Sequence, residues 1–174
     1  MDSVSGSPVY KRAKLPDSAE KMFDDACTIY FPIQRRVEQD DESWGPLSRR
    51  QQREMNEAVR LWEGAAEQGL AEAQCNLGTM YQHGHGVDVN YKKAIEWYEK
   101  AAEQGHAGAQ YNLGAMYENG DGVGQSDSMA MRWYAKADAQ GHEVAQAAIQ
   151  RLVSKCRGSS TSNGKKKEKK KGEE

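Results

Sequence analysis

The stretch AEAQCNLGTMYQHGHGVDVNYKKAIEWYEKAAEQGH, Ala71 to His106, returns as AGAQYNLGAMYENGDGVGQSDSMAMRWYAKADAQGH, Ala107 to His142, with 19 of 36 positions identical. Self-similarity at such a period marks a unit that cannot bury its apolar face alone and stacks on its neighbours. In the first copy Ala73, Leu77, Met80 and Tyr81 fall at helical spacing, and Ala94, Trp97, Tyr98 and Ala101 do so again after a break. Each copy is therefore two amphipathic helices. The break runs from Gly84 to Val87 in one copy and from Gly120 to Val123 in the other. Its glycines stand where a helix ends and the backbone takes a positive φ. Asn90 and Ser126 share the position before the second helix, where a short polar side chain accepts from an orphan N–H. Gly105 and Gly141 close that helix.

Gly78 and Gly114 need a separate reason, because glycine inside a helix costs about 1 kcal/mol relative to alanine. The missing side chain admits a bulky neighbour: Trp97 or Tyr98 in one copy, Trp133 or Tyr134 in the next. Trp97 is expected to be buried between its two helices, so that its replacement by alanine costs about 3 to 5 kcal/mol.

The pattern A-x-A-Q-x-N-L-G-x-M-Y-x-x-G-x-G-V, from Ala71 and again from Ala107, continues as A-x-x-W-Y-x-K-A and ends Q-G-H. It resembles the Sel-one-like repeat, a relative of the tetratricopeptide repeat. The match is close over 71–142 and looser over about 56–154. Two departures, Asn90 and Ser126 where the family often has an acid and Met129 in place of Lys93, leave capping and helix formation intact. The resemblance implies an all-α superhelix, or solenoid, whose first helices line a concave side that holds other proteins.

The 174 residues fit one domain, and a net charge of −2 sets up no field that would call for nucleic acid. The balance hides an asymmetry. The last ten residues hold six lysines and three glutamates, +3, and the remainder carries −5. Cys27, Cys75 and Cys156 are too few and too irregular for a disulfide framework, so they read as reduced thiols. No apolar run of signal-peptide length opens the chain, and no stretch approaches the roughly 20 apolar residues of a membrane span. The expected location is the cytoplasm or the nucleus.

Residues 1–16 read as a disordered arm. It carries a basic cluster, Lys11, Arg12 and Lys14, that either serves nuclear import or is simply solvated. Ala19, Met22, Phe23, Ala26 and Tyr30 make one apolar stripe of a helix capped at Asp17 or Ser18 and ending before Pro32. Residues 32–47 read as an acidic loop. From Ser48 the repeat register returns: Ala58, Leu61, Trp62 and Ala65 stand 36 places before Ala94, Trp97, Tyr98 and Ala101. Residues 17–69 thus hold N-terminal helices and a degenerate repeat, followed by repeats at 70–106 and 107–142. In 143–156, Ala145, Gln146, Ile149 and Leu152 match Ala109, Gln110, Leu113 and Met116, which makes a capping helix. Its Gln150 replaces the helix-admitting glycine, so that side is expected to face water. Residues 157–174 form a lysine-rich tail that cannot pack.

No phosphate loop, nucleophile motif or cofactor site is evident. His106 and His142 recur with the period and read as repeat-junction residues; His83 and His85 occur in one copy only and read as surface decoration rather than as a metal site. No small-molecule substrate is implied. Binding leaves its trace where similar copies differ: Thr79/Ala115, Gln82/Glu118 and His83/Asn119, spaced to share a helix face. With the paired Gln74/Gln110 and Asn76/Asn112 they form the expected protein-contacting surface, although the invariant amides equally suit stitching of one repeat to the next. The reading is a non-catalytic protein-interaction module. The alternative is a chain that meets nucleic acid or another acidic surface through its lysine tail.

Overall fold

The computed structural model describes residues 17–39 and 47–164. The basic cluster at 11–14, the acidic stretch 40–46 and the lysines of 165–171 lie outside the described residues. Seven helices follow one another: α1 (Asp17–Gln39), α2 (Arg49–Glu67), α3 (Ala71–His83), α4 (Tyr91–Glu103), α5 (Ala107–Asn119), α6 (Asp127–Asp138) and α7 (Ala145–Gly164). No strand occurs among the described residues. Each helix packs on the next, and α3 also touches α5, the arrangement of an all-α solenoid.

The caps explain where the helices stop and start. Gly84 and Gly120 take left-handed conformations at φ 73° and 82°, and their N–H groups donate to Met80 O and Met116 O. Asn90 and Ser126 cap α4 and α6 by accepting from Lys93 N and Met129 N at 3.0 and 3.3 Å. Ser48 and Gln51 form a reciprocal capping box at α2.

Within each repeat the helices close on a tyrosine. A Cβ added to Gly78 would lie 2.5 Å from the Tyr98 ring, and one added to Gly114 would lie 2.6 Å from that of Tyr134. Tyr98 and Tyr134 are fully buried, as is Trp62 at the corresponding place in α2. This corrects the expectation for Trp97, which is half-buried. One residue along a helix is a turn of about 100°, enough to move Trp97 off the intra-repeat core and into the groove between repeats. There it packs on both the Tyr98 core and the core around Trp62, and Lys100 Nζ sits 4.0 Å from its ring centroid.

The N-terminal pair departs from expectation in length. Helix α1 does not end before Pro32 but continues through it to Gln39, so 32–39 are helix rather than loop. Interior proline costs about 3 kcal/mol. Beyond it, however, Ile33 and Val37 are buried, each contributing about 1.5 to 3 kcal/mol, and together they offset the lost bond. At the other end α7 runs past Cys156 to Gly164, which corrects the expectation that residues 157–164 lack fixed structure. Cys156 stands where Gly84 and Gly120 end their helices, and without a left-handed residue there the helix does not stop. Of the expected cap residues α7 buries Ala145 and Leu152, while Ile149 is half-buried and Ala148 is buried beside them; Gln150 is exposed.

Candidate protein-binding face

Gln74 and Gln110 are buried at 5% exposure. Gln74 Nε2 donates to Ala66 O at 3.0 Å, and its Oε1 accepts from Gln104 Nε2 at 2.8 Å. One period later Gln110 Nε2 donates to Ala102 O at 3.1 Å and Gln140 Nε2 donates to Gln110 Oε1 at 2.6 Å. These bonds run from each first helix to the second helix before and the helix end after it. Burial and double bonding therefore make the two glutamines inter-repeat ties, and they are withdrawn from the expected binding surface.

The other eight expected residues stay within reach of solvent. Asn76, Thr79 and Gln82 on α3 and Asn112, Ala115 and Glu118 on α5 are half-buried; His83 and Asn119 are exposed. Thr79 Oγ1 lies 3.1 Å from the Tyr98 hydroxyl, which donates to Gln82 Oε1 at 2.8 Å. Burial raises the pKa of this hydroxyl, so it stays neutral. In the next repeat Tyr134 donates to Glu118 Oε2 at 2.8 Å. Asn119 Nδ2 donates to Asp121 Oδ2 at 3.3 Å. The tyrosines that fill the glycine notches thus also fix the side chains along the edge of the face.

Two residues of this surface were not anticipated. Arg151 of α7 grips Glu118 with Nε to Oε1 at 3.1 Å and Nη2 to Oε2 at 2.7 Å, and this holds the Glu118 carboxyl below its ordinary pKa. Lys155 pairs with Asp127 at 3.0 Å. Arg151 continues the row Thr79–Ala115, and Lys155 the row His83–Asn119, at the same 36-residue step. Carrying the register one copy further along the sequence would have found both.

The histidines divide. His106 Nδ1 accepts from Ala109 N at 3.1 Å and caps α5, with burial lowering its pKa; His142 stacks on Tyr111 with centroids 4.8 Å apart. His85 is not mere decoration, because its Nδ1 lies 3.0 Å from the Tyr30 hydroxyl and ties the α3–α4 turn to α1. Cys27 and Cys75 are free thiols, and burial pushes the Cys75 thiol up to about 12, leaving it protonated. Among the described residues no group of three or more His, Cys, Asp or Glu could hold a metal ion, and no helix is long and apolar enough to cross a membrane.

The family model of the Sel1 repeat matches residues 51–70, 71–106 and 107–142. A Sel1 repeat protein from Oxalobacter formigenes is similar at 40% identity and a TM-score of 0.52, over 53% of this chain and 38% of that one. Helicobacter pylori cysteine-rich protein B shares the fold at 18% identity and a TM-score of 0.53, over 75% and 90% of the two chains. A protective antigen of uropathogenic Escherichia coli with an SLR fold is 29% identical over 71% of this chain and 31% of its own, with a TM-score of 0.49. The chain thus spans about a third of the length of the Oxalobacter and Escherichia structures. No curated protein matches it. The chain belongs to the Sel1 repeat family.

Proposed function

We propose that this Sel1 repeat chain is a non-catalytic adaptor that holds a segment of another protein on the face made by α3 and α5 and closed at one end by α7. One observation carries the reading. The two copies keep the same residues where they pack, such as Leu77/Leu113, Gly78/Gly114 and Tyr98/Tyr134, yet differ at the solvent-reaching positions Thr79/Ala115, Gln82/Glu118 and His83/Asn119. A scaffold that repeats beneath a surface that varies is the arrangement by which stacked repeats present distinct contacts. We place the chain in the cytoplasm or nucleus on the free thiols of Cys27 and Cys75, which a reducing compartment preserves.

Affinity capture with the full chain tests the proposal, with the arginine variants Thr79→Arg and Ala115→Arg to block the face. Capture that survives high salt and deletion of 165–174, but is lost in the arginine variants at unchanged melting temperature, supports it. Capture that disappears with the lysines, falling about one log unit per log unit of salt for each neutralised phosphate, is the signature of tail-borne nucleic-acid binding and overturns it.

A further inference from the structure

We propose that the cleft between the end of α1 and the start of α2 takes a phosphoryl group carried by a phosphorylated segment of a partner protein. It shares no residue with the α3/α5 face, and it rests on the adaptor reading only in naming a protein as the bearer. The cleft measures about 270 Å³ and lies between Arg36 of α1 and Ser48, Arg50, Gln51 and Glu54. Hydrogen-bond donors outnumber acceptors on its walls. Arg36 is exposed and makes no ion pair or hydrogen bond among the described residues. Arg50 gives only Nε to Glu54 Oε1, at 2.8 Å, so among the described residues its terminal nitrogens remain unbonded. Gln51 Oε1 accepts from Ser48 N at 2.9 Å, which leaves the Gln51 NH2 group open. Ser48 Oγ accepts from Gln51 N at 3.2 Å and keeps its O–H to donate. Glu54 is the one carboxylate among these residues, and Arg50 holds it. Walls with spare donors and an engaged acceptor call for a ligand that brings acceptors. A phosphoryl group brings three oxygens, and guanidinium forks meet them in paired, charge-assisted bonds.

The charge around the cleft is positive and local. Arg35, Arg49 and Arg53 flank it on the same two helices, exposed and unpaired among the described residues. Ser18 Oγ donates to Gln68 Oε1 at 2.7 Å, which sets the two helices antiparallel. The other end of the pair therefore gathers Glu20, Asp24, Asp25 and Glu67, all exposed. Asp24 stands about 17 Å along α1 from Arg35, twice the screening length of roughly 8 Å at physiological salt. A single phosphoryl group at the arginines is screened from these carboxylates, whereas a nucleic acid or an anionic membrane is long enough to meet them. In the sequence Asp40, Asp41 and Glu42 stand between the two arginine groups, outside the described residues. A phosphoserine, with nearly two charges, exceeds any one of these carboxylates, and an unphosphorylated acidic side chain does not.

The test is fluorescence anisotropy on the full chain with two pools of labelled, otherwise random peptides, one centred on phosphoserine and the other on serine. The phosphoserine pool is expected to bind about tenfold tighter or more, and Arg36→Gln and Arg50→Gln should each remove about tenfold, the equivalent of a charge-assisted hydrogen bond. Glu54→Gln releases Arg50 and should tighten binding about threefold, a gain that a damaged fold cannot produce. Arg132→Gln makes the same change of charge at an exposed site on α6 and should leave binding unchanged. Equal binding of the two pools, or equal losses in Arg36→Gln and Arg132→Gln, would overturn the site. A duplex DNA oligonucleotide, or vesicles of phosphatidylcholine with phosphatidylserine, bound more tightly than the phosphoserine pool and lost in Arg36→Gln, would overturn the protein segment as the bearer. A partner captured by the α3/α5 face and blocked by Thr79→Arg, while the two pools bind equally, would overturn this proposal and leave the adaptor reading standing.

Discussion

Tyr98 and Tyr134 fill the same notch one repeat apart, yet their hydroxyls meet different company. Inside the stack Tyr98 is held by the neutral Thr79 and Gln82. At the end of the stack Tyr134 meets Glu118, which Arg151 clamps from α7. The difference follows from what lies beyond each joint. Behind Tyr98 a whole repeat supplies apolar surface, including Ala109, Leu113 and Met116. Among the described residues only α7 lies behind Tyr134, and its buried contribution is the small set Ala145, Ala148 and Leu152. Among the described residues, ion pairs supplement packing at the joint between α5, α6 and α7.

The largest effect should come from cutting the end away. Stopping the chain after His142 uncovers Tyr134 and Ala130, now shielded by Ala148 and Leu152, and is expected to give an aggregating or unfolded product by size-exclusion chromatography. Stopping after Gly164 should leave the thermal midpoint nearly unchanged. A monomeric, equally stable product after the His142 cut would mean that α7 is not part of the fold.

Next in size is the internal joint. Tyr98→Ala should cost about 3 to 5 kcal/mol in equilibrium unfolding, as a large-to-small change at a fully buried site. Trp97→Ala, at a half-buried inter-repeat site, should cost about 1 to 2 kcal/mol. Reversal of that order would restore tryptophan as the residue that fills the glycine notch.

Smaller again is the end clamp. Arg151→Met should cost about 1 kcal/mol, because the arginine side chain is 59% exposed and its pair is partly screened. The clamp also sets an acid limb. The Glu118 pKa is lowered from its ordinary 4.5, so its contribution is complete above about pH 4.5 and is lost as pH falls through the lowered folded value. Unfolding curves of Arg151→Met should lack that limb.

The smallest effect belongs to His106, whose pKa is lowered from 6.5 by burial and whose Nδ1 must stay unprotonated to cap α5. Its contribution is complete above about pH 6.5 and declines as pH falls toward the folded value. His106→Asn retains a capping side chain and should flatten the pH dependence between neutral and mildly acidic conditions; an unchanged slope would remove His106 as its source.

The sequence made the two full repeats legible because glycines, caps and apolar spacing all recur with one period. It showed where α1 begins but not how far it runs, because Pro32 reads as a stop, nor its place in the repeat register, because α1 has 23 residues and α2 has 19 where α3, α4 and α5 have 13. Gln74 and Gln110 show a different limit. An invariant amide suits a ligand contact and an inter-repeat tie equally well, and only its burial, a tertiary property, separates the two. Arg151 was within reach of the same counting that found Leu152, since both stand one period beyond residues already assigned.

Native-state hydrogen exchange compares the two regions most directly. The amides of α4 and α5, packed on both sides, are expected to exchange only through global unfolding. Those of α7 from Ala148 to Lys155 are expected to exchange through a separate, smaller opening that Arg151→Met lowers further while leaving α5 unchanged. Equal protection in α5 and α7, falling together in the variant, would contradict a stack whose last helix is held on by its own contacts.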